Sequence, residues 1–525
     1  MLRNIGSNWA LAFIQLVVML CLTPIQISTL GADAQGMWLL VASLTATLGL
    51  LILGVPMASV RFLAGHVARN EIDQANEVIA TCLGVCLGLG AAALVVAGGL
   101  SIFFEHTYLD SERWRALGPD LIHQARVAFW ISVVQVCFGF ASQLPFGILD
   151  AHEAFVARNG VKIAGLLLRL VMIAGLLRLY PSLILIAVSQ LAIMVVEFIV
   201  SMVIIRRHWP GLRFGLRGFD RARLRTILGF SLFAMLLNAG SMLSFQTDQL
   251  VINAYRGPEQ GTYFDVGNKF FPVLLGLVLG IGVVMMPRAT KLQATGSWDE
   301  LRADFLKWSK VAYSLALLVG VYLMVLAPEF IAWWVGPELA QPFAMPAGRV
   351  TRVLMFSFLF FLPVRGVASP MLMGLGKPAL PALAFLGMGI INLIISLLLV
   401  KPLGIFGVAV GTAIPCVLFA LLVAWLACRA VGTPILTYLD YVMLRPSLGV
   451  IPPLALLVVI KREMHVFNIH ASRTVEFVPL FVAGVGMVAV FLVVWALFVY
   501  RDDPYVDFNA ALLRYFPILA RRKVP

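Results

Sequence analysis

Runs of about 20 apolar residues, each long enough to cross ~30 Å of hydrocarbon as a helix, recur from one end of this chain to the other. They leave no stretch large enough for a soluble domain. In hydrocarbon each backbone polar group must find its partner within the fold, which commits the chain to an all-α, polytopic membrane architecture. The spans read from the sequence are 7–30, 36–64, 78–104, 122–149, 159–179, 182–205, 227–255, 262–287, 308–334, 347–375, 380–400, 404–428, 441–460 and 475–500, fourteen in all. The thirteenth is the weakest, because Arg445 and Pro446 interrupt it. Composition agrees: 61% hydrophobic and 12% charged residues, against about 45–50% and about 25% in an ordinary globular chain.

The 39 Lys and Arg residues give orientation: with the N-terminus inside, 25 fall in or beside cytoplasmic segments, 9 outside and 5 within spans. Both termini are then expected to be cytoplasmic. The densest basic loop carries Arg206, Arg207, Arg213, Arg217, Arg221, Arg223 and Arg225, and it should rest on anionic lipid headgroups. The net charge of +13 therefore needs no nucleic acid to explain it. Arg3, the first apolar run and Ala32-Asp33-Ala34 imitate a signal peptide, but the run is longer than a signal's ~7–15-residue core, so an uncleaved first helix is expected. All six cysteines fall in spans; Cys82 and Cys86 share a helix face without His or carboxylate beside them, so no metal site is expected.

The chain repeats itself. "LPFGILDAHE" (144–153) resembles "PMLMGLGKPA" (370–379), with Gly147 and Gly374 separated by 227 positions and Asp150 matched to Lys377. Ala141-Ser142 and Ala368-Ser369 keep the same spacing, as do Arg61 and Arg288. The turn "LGADAQGMW" (30–38) resembles "RGPEQGTYF" (256–264), with Gly31 and Gly257 226 apart. Six spans separate equivalent points, an even number, so the halves share one orientation and form two six-helix lobes about an axis along the membrane normal. The expected organisation is a first lobe 1–226 with a basic linker 206–226, a second lobe 227–430, and an added helix pair with a tail, 431–525. Twofold lobes around a cleft are an arrangement that alternating-access transporters use.

Charges at membrane depth are tolerated where they face water, each other or a substrate. The deep or near-deep set is Arg61, Arg126, Arg169, Glu197, Asp248, Asp265, Lys269, Glu329, Arg352 and Arg365, in which cations exceed carboxylates. That excess suits an anionic substrate, because the guanidinium fork matches phosphate oxygens. The competing explanation is pairing with Glu197, Asp248 or Asp265, or snorkelling to an interface, most of all for Arg126 and Arg352. Asp265 and Lys269 stand at i, i+4, where an intrahelical pair is the default. Asp248, with Gln246, Thr247 and Gln249, gives the seventh span a polar stripe; it either gates the cleft by pairing with a cation or fixes the helix by an interhelical hydrogen bond. Glycines and Pro56 in the second span, and Gly276, Gly280 and Gly282 in the eighth, allow close packing or bending. No H-E-x-x-H, Walker A or G-x-S-x-G motif occurs, so neither an enzyme nor an ATP-driven pump is expected, and no cofactor.

The stretch "NWALAFIQLVVMLCLTPIQISTLGADAQGMWLLVASL" (8–44), and Asp248 followed by Gly257-x-x-x-Gly261-x-Tyr263, resemble the polysaccharide flippases, the Wzx-type oligosaccharide-lipid translocases of the MOP exporter superfamily. The resemblance covers about the first twelve spans. It implies two six-helix bundles in a V and a cationic cavity that carries undecaprenyl-diphosphate-linked oligosaccharides across the bacterial cytoplasmic membrane, for O-antigen, capsule or exopolysaccharide assembly. Under it, Arg61, Arg169, Lys269, Arg288 and Arg365 become candidates for substrate contact, and Asp248, Glu197 and Asp265 for coupling or gating. Polymerase and chain-length proteins of the same pathway become candidate partners. The extra helix pair resembles the lipid II flippase branch, which keeps lipid II open as a substrate. A cation-coupled multidrug exporter of the same superfamily would want an acidic or aromatic cavity, and a membrane polymerase a large outside loop. The longest outside stretches here, 105–121 and 336–347, are short.

Overall fold

An apolar run in hydrocarbon satisfies its own peptide groups only as a helix, and each regular element among the described residues is helical. The computed structural model describes residues 2–52, 55–220, 238–335, 337–466, 473–501 and 503–505. In chain order the principal helices are α1 (Leu2–Leu48), α2 (Val55–Ala68), α3 (Ile72–Phe104), α4 (Pro119–Ala151), α5 (Phe155–Leu179), α6 (Leu183–His208), α7 (Thr247–Arg256), α8 (Pro258–Asn268), α9 (Phe271–Ala294), α10 (Trp298–Val335), α11 (Pro337–Pro363), α12 (Ala379–Val431), α13 (Ile451–Val466) and α14 (Arg473–Val494).

Among the described residues, eleven helical stretches are long and apolar enough to cross a membrane. Two of them are long enough for two crossings: 10–52 has 43 residues and 379–431 has 53, about 65 and 80 Å at 1.5 Å per residue. Each breaks at a glycine with positive φ, Gly31 (φ 81°) and Gly404 (φ 63°), a conformation that other residues adopt only at a cost. Those are the places where the sequence predicts one span to end and the next to begin. The stretch Ile435–Met464 is a single 30-residue candidate crossing; Pro446 does not stop it, and directly before it the helix widens into the π-helical turn Leu439–Leu444. The expected count of fourteen is not confirmed, and span 227–255 lies outside the described residues up to 237.

The repeat is visible in backbone and packing. Gly31 and Gly257 have nearly the same dihedrals, φ 81°, ψ 169° and φ 90°, ψ 171°. A Cβ on Gly147 would stand 3.0 Å from Ser59 Oγ, and one on Gly374 would collide with the Met286 carbonyl oxygen. Ser59 and Met286 are themselves 227 apart. The same pair of helix faces thus meets twice, through the same missing side chain.

Contacts divide the chain into two compact units, residues 1–265 with 393–408, and residues 266–392 with 409–525. These do not follow the repeat boundaries, for a local reason. In the first unit the two repeat turns pack on each other: a Cβ on Gly36 would collide with the Pro258 carbonyl, and Thr262 Oγ1 donates to the Ala32 carbonyl at 2.7 Å. Arg256 then donates to the carbonyls of Val400 (3.0 Å) and Lys401, which the Gly404 break leaves open. Elsewhere in this unit α1 packs on α5, and α4 on α3 and α6.

In the second unit α10 packs along α11, and α13 and α14 pack on α10 and on each other. The added pair is fastened at two levels of α10, one at each end of its apolar stretch. At one end Lys310 Nζ bonds Asp503 Oδ2 (2.5 Å) and the Val499 carbonyl (2.9 Å) between the rings of Tyr441 and Tyr500. At the other, Lys461 Nζ meets Glu329 Oε1 at 2.8 Å, about 28 Å further along α10. Pro328 lacks the N–H that would bond the Met324 carbonyl, and Arg352 Nε donates to that carbonyl at 3.0 Å while Lys461 donates to Val325. Arg352 and Glu329 are therefore parts of a capped kink.

Candidate functional site

In α5 the residues Gly165, Ile173 and Leu177 are buried, and Arg169 lies in the same i, i+4 stripe, so its side chain is directed into the unit. Its Nε is buried and has no hydrogen-bond partner among the described residues. Glu197 of α6 lies over Gly165, one turn before Arg169, where a Cβ would collide with the carboxylate. Lys162, two turns before Arg169 on the same face, holds its Nζ 5.1 Å from the centre of the Phe146 ring. At the start of α5, Arg158 Nη1 binds both oxygens of Asp150 at 3.0 and 2.9 Å, and Asn159 bonds Ser7. The helix thus begins with a neutralised arginine and carries an open one three turns later.

In the second unit, α11 runs into a wider π-helical turn, Val364–Ala368, before helix resumes at Ser369–Gly374. Such turns insert one extra residue and are frequent at functional sites. Arg365 is the half-buried member of this turn; Val364, Gly366, Val367 and Ala368 are buried. Its guanidinium stands 5.5 Å from the centre of the Phe385 ring, and no ion pair to it is found among the described residues. Gly366 has no room for a side chain against Val278, and a Cβ on Gly282 would lie 2.9 Å from the Gly366 carbonyl, which presses the turn onto α9. Gly276 and Gly280 face open space. Of the three eighth-span glycines, only Gly282 is a packing contact.

Asp248 is 1% exposed, in the first turn of α7 just after a break at Gln246. The polar stripe around it is buried as well. Gln249 Nε2 donates to the Gly261 carbonyl at 3.1 Å, and Asn253 Nδ2 donates to the Gln249 carbonyl at 2.8 Å. Gln249 therefore ties this part of the seventh span to α8, while the Asn253 bond stays within α7. Asp265 and Lys269 are half-buried where α8 ends. Arg288 is half-exposed at the end of α9 and bonds Asp304 and Glu300 (2.6 Å), so two carboxylates neutralise it. Arg61 is on α2, and its side chain lies outside the described residues. Arg126, expected to snorkel, is held by Glu105 at 2.5 and 2.8 Å.

Two guanidinium groups, Arg169 and Arg365, thus present forks inside apolar surroundings, one in each unit, suited to phosphate or carboxylate oxygens. Sequence reasoning missed Lys162, although its i+7 spacing to Arg169 is legible, and Phe385. It also missed the π-helical turn, for which no sequence signal was available.

Residues 1–293 match the family described as "Polysaccharide biosynthesis protein". The chain belongs to this family. The resemblance read from the sequence is borne out at the level of this family, and the fold agrees with it. The lipid II flippase MurJ in an inward closed conformation superposes with a TM-score of 0.67 at 14% identity, covering 94% of this chain and 99% of that one. An inward-facing multidrug resistance MATE family transporter of the MOP superfamily gives 0.64 at 16% identity, over 80% of this chain and 98% of that one. A MOP superfamily transporter from Pyrococcus furiosus gives 0.60 at 17% identity, over 82% and 95%. At these identities the likeness is one of fold. An uncharacterized membrane protein of Methanocaldococcus jannaschii is 20% identical over 366 residues, 68% of this chain and 70% of that one. This member of the polysaccharide biosynthesis family is a multi-pass membrane protein with a transporter or flippase fold.

Proposed function

We propose that this protein flips undecaprenyl-diphosphate-linked oligosaccharides across the bacterial cytoplasmic membrane by alternating access, with both termini cytoplasmic, in the assembly of O-antigen, capsule or exopolysaccharide. The observation that carries the reading is the pair of inward-directed arginines, Arg169 and Arg365, with no carboxylate partner among the described residues. A diphosphate is an anion with the oxygens such forks bind, and its arrival would neutralise charges that are costly at membrane depth. Lys269 and Arg61 remain secondary contacts in this reading, and Glu197 and Asp265 coupling groups. Arg288, already held by two carboxylates, meets substrate only by releasing them. The multidrug reading is less favoured by a cation-rich interior.

The test is translocation of a fluorescent undecaprenyl-diphosphate oligosaccharide in proteoliposomes by wild type, R169A and R365A, each checked for folding. Transport by wild type and its loss in the folded variants supports the reading. Extrusion of cationic dyes, with no movement of several lipid-linked glycans, overturns it. Lipid II is the second substrate to assay, because the likeness to the lipid II flippase extends over 94% of this chain, the added helix pair included.

A further inference from the structure

The segment that follows α6, residues 209–220, has no regular helix yet is fastened to the end of α4, to α6 and, at successive levels, to α3. Trp209 packs on His152 with ring centres 4.2 Å apart, and Phe214 on Phe198 at 5.7 Å. Asn76 of α3 holds the backbone from both sides, its Nδ2 donating to the Gly211 carbonyl (3.1 Å) and its Oδ1 accepting from the Arg213 N–H (2.7 Å). Further along α3, Thr81 Oγ1 accepts from the Asp220 N–H at 3.1 Å, and the Phe219 ring lies where a Gly84 side chain would be. From Asn76 to Gly84 the strap advances about 12 Å along the helix, from its polar start into its apolar run.

What this strap presents is specific. Arg206, Arg207, Arg213 and Arg217 are exposed and have no ion pair among the described residues. Between and beyond them Leu216 and Phe219 are 53% and 43% exposed. Topology requires only that such charges stay on one side of the membrane. It does not require a pinned backbone, or two bare apolar side chains among the arginines at the level where α3 enters hydrocarbon. An amphipathic surface of that composition fits the boundary between acyl chains and headgroups, with arginines at phosphate level and apolar side chains below.

We propose that the strap 209–220, with the end of α6, is a binding surface for anionic phospholipid headgroups, seating Leu216 and Phe219 among the acyl chains and Arg206, Arg207, Arg213 and Arg217 on the phosphates. The ligand is a resident membrane lipid, distinct from the transported molecule.

The test compares lipids retained by the full chain, by native mass spectrometry after extraction from vesicles of phosphatidylcholine with and without phosphatidylglycerol. The variants are R213Q/R217Q, N76A and, as a control, the exposed R462Q elsewhere on the surface. Wild type should prefer phosphatidylglycerol. R213Q/R217Q should lose that preference by about fivefold per arginine at low salt, with its melting midpoint unchanged, while R462Q keeps it. N76A keeps each charge but frees the backbone, so it should also weaken the preference. An unchanged preference in R213Q/R217Q, or an equal loss in R462Q, overturns the proposal. So does retention of polyprenyl diphosphate in place of phosphatidylglycerol, which would assign the arginines to the transported molecule.

Discussion

Lys310 and Arg169 are both cations inside membrane helices, and their surroundings could hardly differ more. Lys310 is 0% exposed and saturated, by a carboxylate, a backbone carbonyl and two aromatic rings. Arg169 has an Nε with no hydrogen-bond partner among the described residues. A buried charge enclosed by fixed partners belongs to the architecture, and removing one partner strands the other. A buried charge left open is costly in the empty protein and is relieved by a mobile anion. Partner inventory, more than depth or residue type, separates the two.

The largest effect should come from breaking the saturated site. Lys310→Ala leaves Asp503 buried and unpaired and should lower unfolding stability by about 3–5 kcal/mol, read from chemical or thermal denaturation in a fixed detergent. K310M/D503N should recover much of the loss. Arg169→Ala should do the reverse, leaving the melting midpoint in place while transport of a lipid-linked diphosphate falls about 10-fold or more, as expected when a charged hydrogen bond worth ~1.5–3 kcal/mol is removed. An R169A protein that transports normally would place Arg169 with Lys310 after all, and the contrast would fail. Arg288→Ala tests the intermediate case; its exposed ion pairs should be worth under ~1 kcal/mol, and transport should change less than about threefold. The smallest effect is on acid sensitivity. Burial pushes the Asp503 carboxyl up, but hydrogen bonds from Lys310 and Tyr441 outweigh it and hold it below the ordinary value of 3.8. Its contribution is present above that value and lost as pH falls through the folded one, so the melting difference between wild type and D503N should be constant near neutrality and shrink below about pH 4.

The helices, the turn at Gly31 and the repeat were legible in the sequence because hydrocarbon permits few alternatives, because Gly31 and Gly257 supply a positive φ, and because Gly147 and Gly374 sit where a neighbouring helix comes close. The status of each charge was not. Arg288 looks like Arg169 in a linear reading, although Glu300 and Asp304, which neutralise it, lie one short turn away in sequence. Lys310 drew no notice because Asp503 is at the far end of the chain. So uniform an apolar pattern also hides helix rotation, which is why the stripe at Asp248 could not be assigned to a water-facing or a packed side. The π-helical turn at Arg365 depends on local packing against α9 and leaves no compositional trace.

The seam between the turns at Gly31 and Gly257 has a further meaning. Gly36 meets Pro258 and Thr262 meets Ala32, and each of these pairs becomes the other when positions are shifted by 226. That is the self-complementary form of a contact between two copies of one chain, now carried within a single polypeptide. A homodimer must change both copies together; a duplicated and fused chain need not. It can keep the seam while its halves diverge, placing Arg365 in one repeat where Phe138 stands in the other. Asymmetric chemistry of that kind is open to this chain because its two halves are encoded separately.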